Sequence, residues 1–502
     1  MRSTRQVCVS LFGMALLTAC GSTVTTAGTT ATDATGLSLA NPTATAPGQT
    51  GTPDPAATSA TTTIDPGTTA PQDSSTDTPT GTSTNPATGT TAMHLGPGVD
   101  AKTIRIGMTV QDNNATVSSL AQTYNITLAD NRGAYDALVH YFNTHGGIAG
   151  RTLTPVYYTY DPTGGTVDQI GQAACAAFTD DRNVFAAIDA ISVDSFNTCM
   201  QRHGRVMLPY GLYFGAKSAW QRYPNVVAAD GLPFDDGGRI LAEHLSAAKF
   251  LTKATKLGAI VRSSADLTDA YQKGFVPALA KAGLKVAQTQ YIRDLQGSAD
   301  ISGYTADISS AVLKFRSSGV DRVVFFDTGS YAATVFSQNA EQQQYRPKYG
   351  FMSINSIVSL QGSSSTAPRA QMVGAQGVSW ETNADGLSTT KTKPAQKCLS
   401  ILKDAGIVPS DTGTEASYLK TCQTFFLFKA AADVAGANLT RDTFIAAAEG
   451  LGSSFVSTNS WNGLTQLGIN HHAGVSVFRP FAYKDQCSCF QVSGPTQSVS
   501  AP

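Results

Sequence analysis

From Lys102 onward the sequence switches again and again between two hydrophobic periods, and few folds accommodate that rhythm. "TIRIGMTV" (Thr103–Val110) reads as a β-rich strand. Leu128–His145 follows with Tyr135, Leu138 and Phe142 at helical spacing. Leu153–Tyr160 is strand-like, and Thr166–Phe178 is helical, with Val167, Ile170, Ala174, Ala177 and Phe178 on one stripe. "VFAAID" (Val184–Asp189) predicts a strand, Ser195–His203 a helix, and "RVMLPY" (Arg205–Tyr210) a further strand. Strands alternating with helices across short turns form a parallel sheet with helices on both faces.

The junctions fit this reading. Gly146–Gly147 closes the first helix where positive φ is wanted, and Gly150–Arg151 turns the chain back toward the sheet. The rhythm then starts over. Asp235–Phe250 is helical, Lys256–Arg262 a strand, Leu267–Ala282 a helix and Leu284–Ile292 a strand. Tyr304–Ser318 is a helix, "DRVVFFD" (Asp321–Asp327) a strand, Tyr331–Gln343 a helix and "KYGFMS" (Lys348–Ser353) a strand. Helices are expected at Pro394–Ala405, Glu415–Ala435 and Arg441–Glu449, and short strands at Val475–Tyr483 and Cys489–Val492. The expected fold class is α/β, with two doubly wound parallel-sheet units of similar size.

The first hundred residues are of another kind. Arg2 and Arg5 precede an apolar run, Val7–Leu17, too short to span a bilayer comfortably. The run ends in Leu17-Thr18-Ala19-Cys20, which resembles the bacterial lipobox. That resemblance implies a lipoprotein signal over 1–20, with Cys20 diacylated and fixed to the membrane. Residues 21–101 hold no Lys, no Arg and no aromatic residue. Such a Thr/Ala/Pro/Gly-rich stretch is expected to be disordered, a tether on the order of 50 Å in span. No later apolar run is long enough for a transmembrane helix. A formal net charge of −1 over 502 residues suggests no nucleic-acid partner.

In open parallel sheets, ligands sit outside the carboxyl ends of the strands, where helix N-termini offer free N–H groups. The strand-end loops are therefore the candidate site. They contain Gln111, "AISVDS" (Ala190–Ser195), "PYGLYF" (Pro209–Phe214), "RSSAD" (Arg262–Asp266), "DTGSY" (Asp327–Tyr331) and "SINS" (Ser353–Ser356). Bland roles compete with binding: Asp327, Ser192 and Ser195 suit helix caps, and Tyr213 suits a core.

Four stretches carry a family resemblance: "IRIGMTVQ", "YFNTHGGIAGRTLTPVYYTYD", "DRVVFFDTGSY" and "NSWNGL". They resemble the type I periplasmic binding protein fold, in the solute-binding lipoproteins of branched-chain amino acid, urea and amide ABC transporters. The resemblance implies two lobes, 102–228 plus 382–460 and 229–381 plus 468–495. It places three hinge crossings near Val226–Ala229, Val378–Glu381 and Ser460–Gly468. It also assigns roles by position. Ser192, Asp194 and Ser195 match a carboxylate-holding loop, Gly211 and Tyr213 a backbone-plus-aromatic wall, and Asp327 and Tyr331 a strap from the second lobe. Where amino acid binders place an acid for the ligand ammonium, this chain has Asn355, so an ordinary α-amino acid would fit only with Asp327 or Asp266 in that role. Tyr210, Tyr213, Phe214 and Tyr331 suit a larger or flatter solute. The implied partners are a small-molecule solute, an ABC transporter permease and the membrane, reached through the lipid anchor. The protein would act as a monomer on the extracytoplasmic face.

Six cysteines remain after Cys8 and Cys20, and six allow 15 pairings. The family resemblance implies a Cys175–Cys199 bridge. Cys398 and Cys422 share that spacing on successive helices, and Cys487–Cys489 completes a sequential pattern. His471, His472, Cys487 and Cys489 lack the usual spacing of a metal site, so no metal or other cofactor is expected. No hydrolase, phosphate-loop or dinucleotide motif stands at a strand–helix turn. A non-catalytic binding protein is thus expected; a ligand sensor signalling to a membrane receptor and a secreted hydrolase are the alternatives.

Overall fold

The computed structural model describes residues 94–114, 118, 131–362, 365–382, 385–387 and 390–499. The expectations for the signal, Cys20 and the tether as far as residue 93 lie outside these residues, as does part of the loop after the first strand. The first α/β half comprises β1 (Thr103–Gln111), α1 (Asn131–Thr144), β2 (Thr152–Tyr160), α2 (Val167–Ala176), β3 (Ala186–Ile188), α3 (Asp194–Arg202), β4 (Val206–Leu208) and α4 (Lys217–Arg222). Its sheet is wholly parallel in the order β2-β1-β3-β4.

The second half begins with α5 (Phe234–Ala247) and β5 (Leu257–Arg262). The expected helix 267–282 is divided into α6 (Ala265–Asp269), a π-helical turn (Ala270–Phe275) and α7 (Val276–Lys281). Then come β6 (Val286–Ile292), α8 (Ile301–Ser317), β7 (Arg322–Phe326), α9 (Tyr331–Gln342), β8 (Lys348–Met352), α10 (Arg369–Met372) and β9 (Gln376–Ser379). The chain returns to the first half as α11 (Lys393–Asp404), α12 (Thr412–Ala435) and α13 (Arg441–Leu451). It ends in β10 (Val477–Lys484), β11 (Cys489–Val492) and β12 (Gln497–Ser498).

The second sheet runs β11-β10-β9-β8-β7-β5-β6, with β12 on β10. β5 to β9 are parallel, while β10, β11 and β12 pair antiparallel. This sheet is therefore mixed, as large α/β sheets with an antiparallel edge often are. Each sheet is covered on both faces, which is why its strands read as continuous apolar runs. Along β7, Val323 and Phe325 face α8 and α9, while Val324 and Phe326 join the cluster under α5 and α7. In the first half, Ile104, Ile106 and Met108 pack under α1, α11, α12 and α13, while Ala187 and Met207 pack under α2 and α3.

The glycine junction after α1 has a second purpose. Gly147 has φ 74°, and a Cβ there would meet the Arg151 carbonyl oxygen at 2.2 Å. The turn delivers Arg151 into a nearly closed slot. Its Nε donates to the Asp100 carbonyl (2.8 Å), one terminal nitrogen to Gly436 (3.2 Å) and the other to Ala437 (2.9 Å). The last two are carbonyls at the end of α12, where a cation is favoured. Residues 94–101, read from sequence as the end of the tether, are packed instead. Gly96 N–H donates to Leu439 (2.8 Å), and Gly98 accepts from Arg105 N–H (2.9 Å).

Three disulfides join Cys175–Cys199, Cys398–Cys422 and Cys487–Cys489. The first ties α2 to α3 and the second α11 to α12. Three connecting segments run side by side between the halves. Ala228 bridges Ala473, Glu381 bridges Ser460, and Asn459 Nδ2 donates to Asp230 (3.3 Å).

Candidate functional site

Strand order reverses between β1 and β3 in one sheet and between β5 and β7 in the other. Ligand crevices form outside the carboxyl ends of strands at such switch points. A cavity of about 870 Å³ opens there, lined from both halves. The first half supplies the end of β1 (Thr109, Val110, Gln111), the β3 loop (Asp189–Ser192), Tyr160 and the start of α1 (Asn131, Arg132, Tyr135). The second half supplies Thr328–Tyr331 after β7, and Ser356, Val358 and Ser359 after β8. One face of α12 completes the wall with Gly413, Ala416, Ser417 and Lys420.

Asp189 anchors the β3 side. It is 6% exposed, with a left-handed backbone (φ 50°). Its Oδ2 accepts from Tyr135 (3.0 Å) and Thr421 (2.8 Å), and Oδ1 lies 3.2 Å from Lys420 Nζ. Ile191 N–H donates to Thr109 Oγ1 (2.9 Å), tying this loop to β1. Tyr210 and Tyr213 meet edge to face with centroids 5.3 Å apart, and the Tyr213 hydroxyl bonds Ser356 across the cleft. Ser356 is also left-handed (φ 48°). Two non-glycine residues in that region thus border one cavity, a placement typical of functional sites. Ser330 and Tyr331, at the start of α9, line the cavity, so the positive dipole end of this helix lies at its wall.

Four of the ten sequence-based ligand candidates line this cavity: Gln111, Ser192, Tyr213 and Tyr331. The other six do not. Asp194 pairs with Arg222 (2.7 Å) and accepts from the Tyr223 hydroxyl. Ser195 donates to the Asp168 carbonyl (3.2 Å). Gly211 lies against the first connection, where a Cβ would meet Gly231 N at 2.5 Å. Asp266 accepts from Ala216 N–H (3.1 Å), joining α6 to the segment before α4. Asp327 is 1% exposed behind the wall. It accepts from Tyr304 (2.5 Å) and lies 3.3 Å from the Arg262 guanidinium, and burial pushes its carboxyl up. Asn355 knots the strand ends by accepting from Met352 N–H (2.9 Å) and donating to the Asp327 carbonyl (2.8 Å).

Asp189, Lys420, Tyr135, Tyr160, Arg132 and Thr328 line the cavity but were not singled out from sequence. For Lys420 a signal existed: Gly413, Ala416, Ser417 and Lys420 stand at i, i+3, i+4 and i+7, one helix face of small and polar residues.

Beneath the floor lies a group of buried acids on the first and second connections. Tyr210 donates to Glu381 Oε2 (2.6 Å), and Ser353 donates to Asp385 (2.7 Å). Asp230 accepts from Gly211 N–H (3.3 Å) as well as from Asn459. Burial raises all three carboxyls: Asp230 to about 6, Asp385 to about 7, and Glu381 well up, helped by the neighbouring Asp230. Among the described residues no group of three or more His, Cys, Asp or Glu is placed to hold a metal ion. His472 bonds Glu449 (2.8 Å).

Two sheet-centred halves with a cavity between facing strand ends define a two-lobed binding protein. Solved structures share the fold at identities that carry nothing further. A branched chain amino acid ABC transporter protein from Thermus thermophilus with bound valine aligns at 13% identity and TM-score 0.58, over 79% of this chain and 96% of its own. A fatty acid ABC transporter substrate-binding protein from Thermomonospora curvata aligns at 17% identity and TM-score 0.54, over 81% and 95%. A solute binding protein from R. palustris in complex with 4-hydroxybenzoate aligns at 12% identity and TM-score 0.56, over 79% and 97%. No curated protein matches the chain. The sequence profile of the periplasmic binding protein family matches residues 103–482, and the chain belongs to that family.

Proposed function

We propose that this chain is an extracytoplasmic solute-binding lipoprotein that captures a small polar molecule between its halves and delivers it to an ABC transporter permease. The observation that carries the reading is the cavity of about 870 Å³, a volume suited to a small solute, walled by strand ends of both sheets. A solute touching both walls stabilises the arrangement in which they face each other, and needs no covalent chemistry to do so. The Val167 N–H donating to the Gln296 carbonyl (2.8 Å) supports a closing lip, since it joins α2 of the first half to the β6 loop of the second. Gln111, Ser192, Tyr213 and Tyr331 are the proposed contacts from the strand-end loops, with Lys420 from α12.

The lobes we assign follow the sheets, with 102–228 and 382–460 on one side and 229–381 and 468–495 on the other. The Arg2–Cys20 signal and its lipobox support a membrane anchor, and the described residues contain no helix long and apolar enough to cross a membrane. A thermal-shift screen of the full-length protein tests the reading, using amino acids, amides, urea, short peptides and organic acids. A ligand raises the melting temperature by mass action and is recovered chemically unchanged. A hit recovered as a reaction product, or no hit in any class, would sink it.

A further inference from the structure

The chemistry inside the cavity narrows the solute, given the solute-binding reading above. Asp189 is the only acid among the described residues that line it. Its oxygens are already held by Tyr135, Thr421 and Lys420, at 3.0, 2.8 and 3.2 Å. With its side chain 1% exposed beneath these partners, the Asp189 carboxylate offers little access to a ligand ammonium. Glu381 and Asp327 lie behind the wall, on Tyr210 and on Arg262 with Tyr304 respectively.

Lys420 presents the opposite case. Its ammonium carries three donors, and Asp189 is its one ion-pair partner among the described residues. The side chain stays partly open to the cavity, with Nζ 5.0 Å from the centre of the Tyr210 ring. Donors are therefore left for an acceptor on the solute. The cavity walls also carry the phenol rings of Tyr160, Tyr210, Tyr213 and Tyr331. Such rings offer flat apolar faces together with polar tips, and they favour an aromatic body.

We propose that the cavity selects an aromatic carboxylate that carries no ammonium group, with the carboxylate on Lys420 and the ring among the tyrosines. An amino acid with the same ring would bring its ammonium to a wall on which the one carboxylate among the described residues is already paired, and is expected to bind roughly 100-fold more weakly.

Calorimetric titration of the full-length protein with three compounds sharing one ring tests this. The compounds are 3-phenylpropanoate, L-phenylalanine and 2-phenylethylammonium. The first is expected to bind, the second to bind roughly 100-fold more weakly and the third not at all. In a charge-balanced double variant, Lys420→Met with Asp189→Asn, affinity for 3-phenylpropanoate falls at least about tenfold. Equal affinity for 3-phenylpropanoate and L-phenylalanine, or binding of the amine, would overturn the proposal. The comparison of the three compounds uses the unaltered protein, so it stands even if the double variant does not fold. If none of the three binds while the broad screen yields a solute of another class, the aromatic-acid assignment fails and the solute-binding reading survives. If nothing in either set binds, both fail.

Discussion

Glu381, Asp230 and Asp385 show how single residues couple the floor of the cavity to the connections between the halves. Glu381 Oε1 and Asp385 Oδ1 are buried with no hydrogen-bond partner among the described residues, as suits carboxyls that keep their protons. Their folded pKa values lie above the unfolded ones, so the native state holds protons that the unfolded chain has released. The stabilising contribution is therefore complete below about pH 4 and is lost as pH rises through about 6 for Asp230 and about 7 for Asp385. Thermal unfolding should accordingly show a higher melting temperature at pH 5 than at pH 8. Glu381→Gln keeps the shape without the charge, and should raise the melting temperature at pH 8 by about 2–5 °C while flattening the profile. A variant as pH-dependent as the parent would contradict this. At the same scale the sequence was only partly legible. Strand-end position put Gln111, Ser192, Tyr213 and Tyr331 on the cavity wall, because those loops must border a crevice in this topology. It misplaced Asp327 and Asn355, because a loop residue can turn its side chain back between strand ends, as both do. Lys420 was missed because it comes from a helix far along the chain, and strand-end reasoning does not consider helix faces.

Among the elements, the turn after α1 has the clearest physical account. Arg151 ties its own turn to α12, binding the Gly436 and Ala437 carbonyls while also holding Ala149 and Asp100. Arg151→Ala should destabilise the protein by about 3 kcal/mol or more, since the charge-assisted bonds of a buried guanidinium are lost together. Arg151→Lys should recover little of this, because an ammonium cannot reproduce the planar fork. Denaturant unfolding measures both, and a lysine variant as stable as the parent would contradict the staple. Most elements of regular period were legible from sequence, such as β11 at Cys489–Val492 and α9 starting at Tyr331. α4 and β9 were missed: six and four residues are too few to show a period. The π-helical turn in 270–275 leaves no periodic signature, and there Gly274 lets the Asp235 carbonyl approach to 2.1 Å of where a Cβ would stand. The antiparallel edge β10–β11 follows from tertiary pairing, which local pattern does not reveal.

At the scale of the whole molecule, a two-sheet body builds one cavity from both sheets, and we propose that a lipid at Cys20 anchors it. The anchor has its own test. Cys20→Ala should abolish incorporation of labelled fatty acid and release the protein into the aqueous fraction, and a variant that stays on the membrane would refute lipidation at that residue. The central claim is that solute binds between the halves and holds them together. Hydrogen exchange of the full-length protein, with and without a saturating solute from the screen, tests it most directly. The account predicts slowed exchange on both walls at once, in 109–113 and 189–192 of one half and in 328–331 and 356–359 of the other, together with the Val167 amide at the lip. Protection confined to one half, or falling outside the cavity, would contradict it.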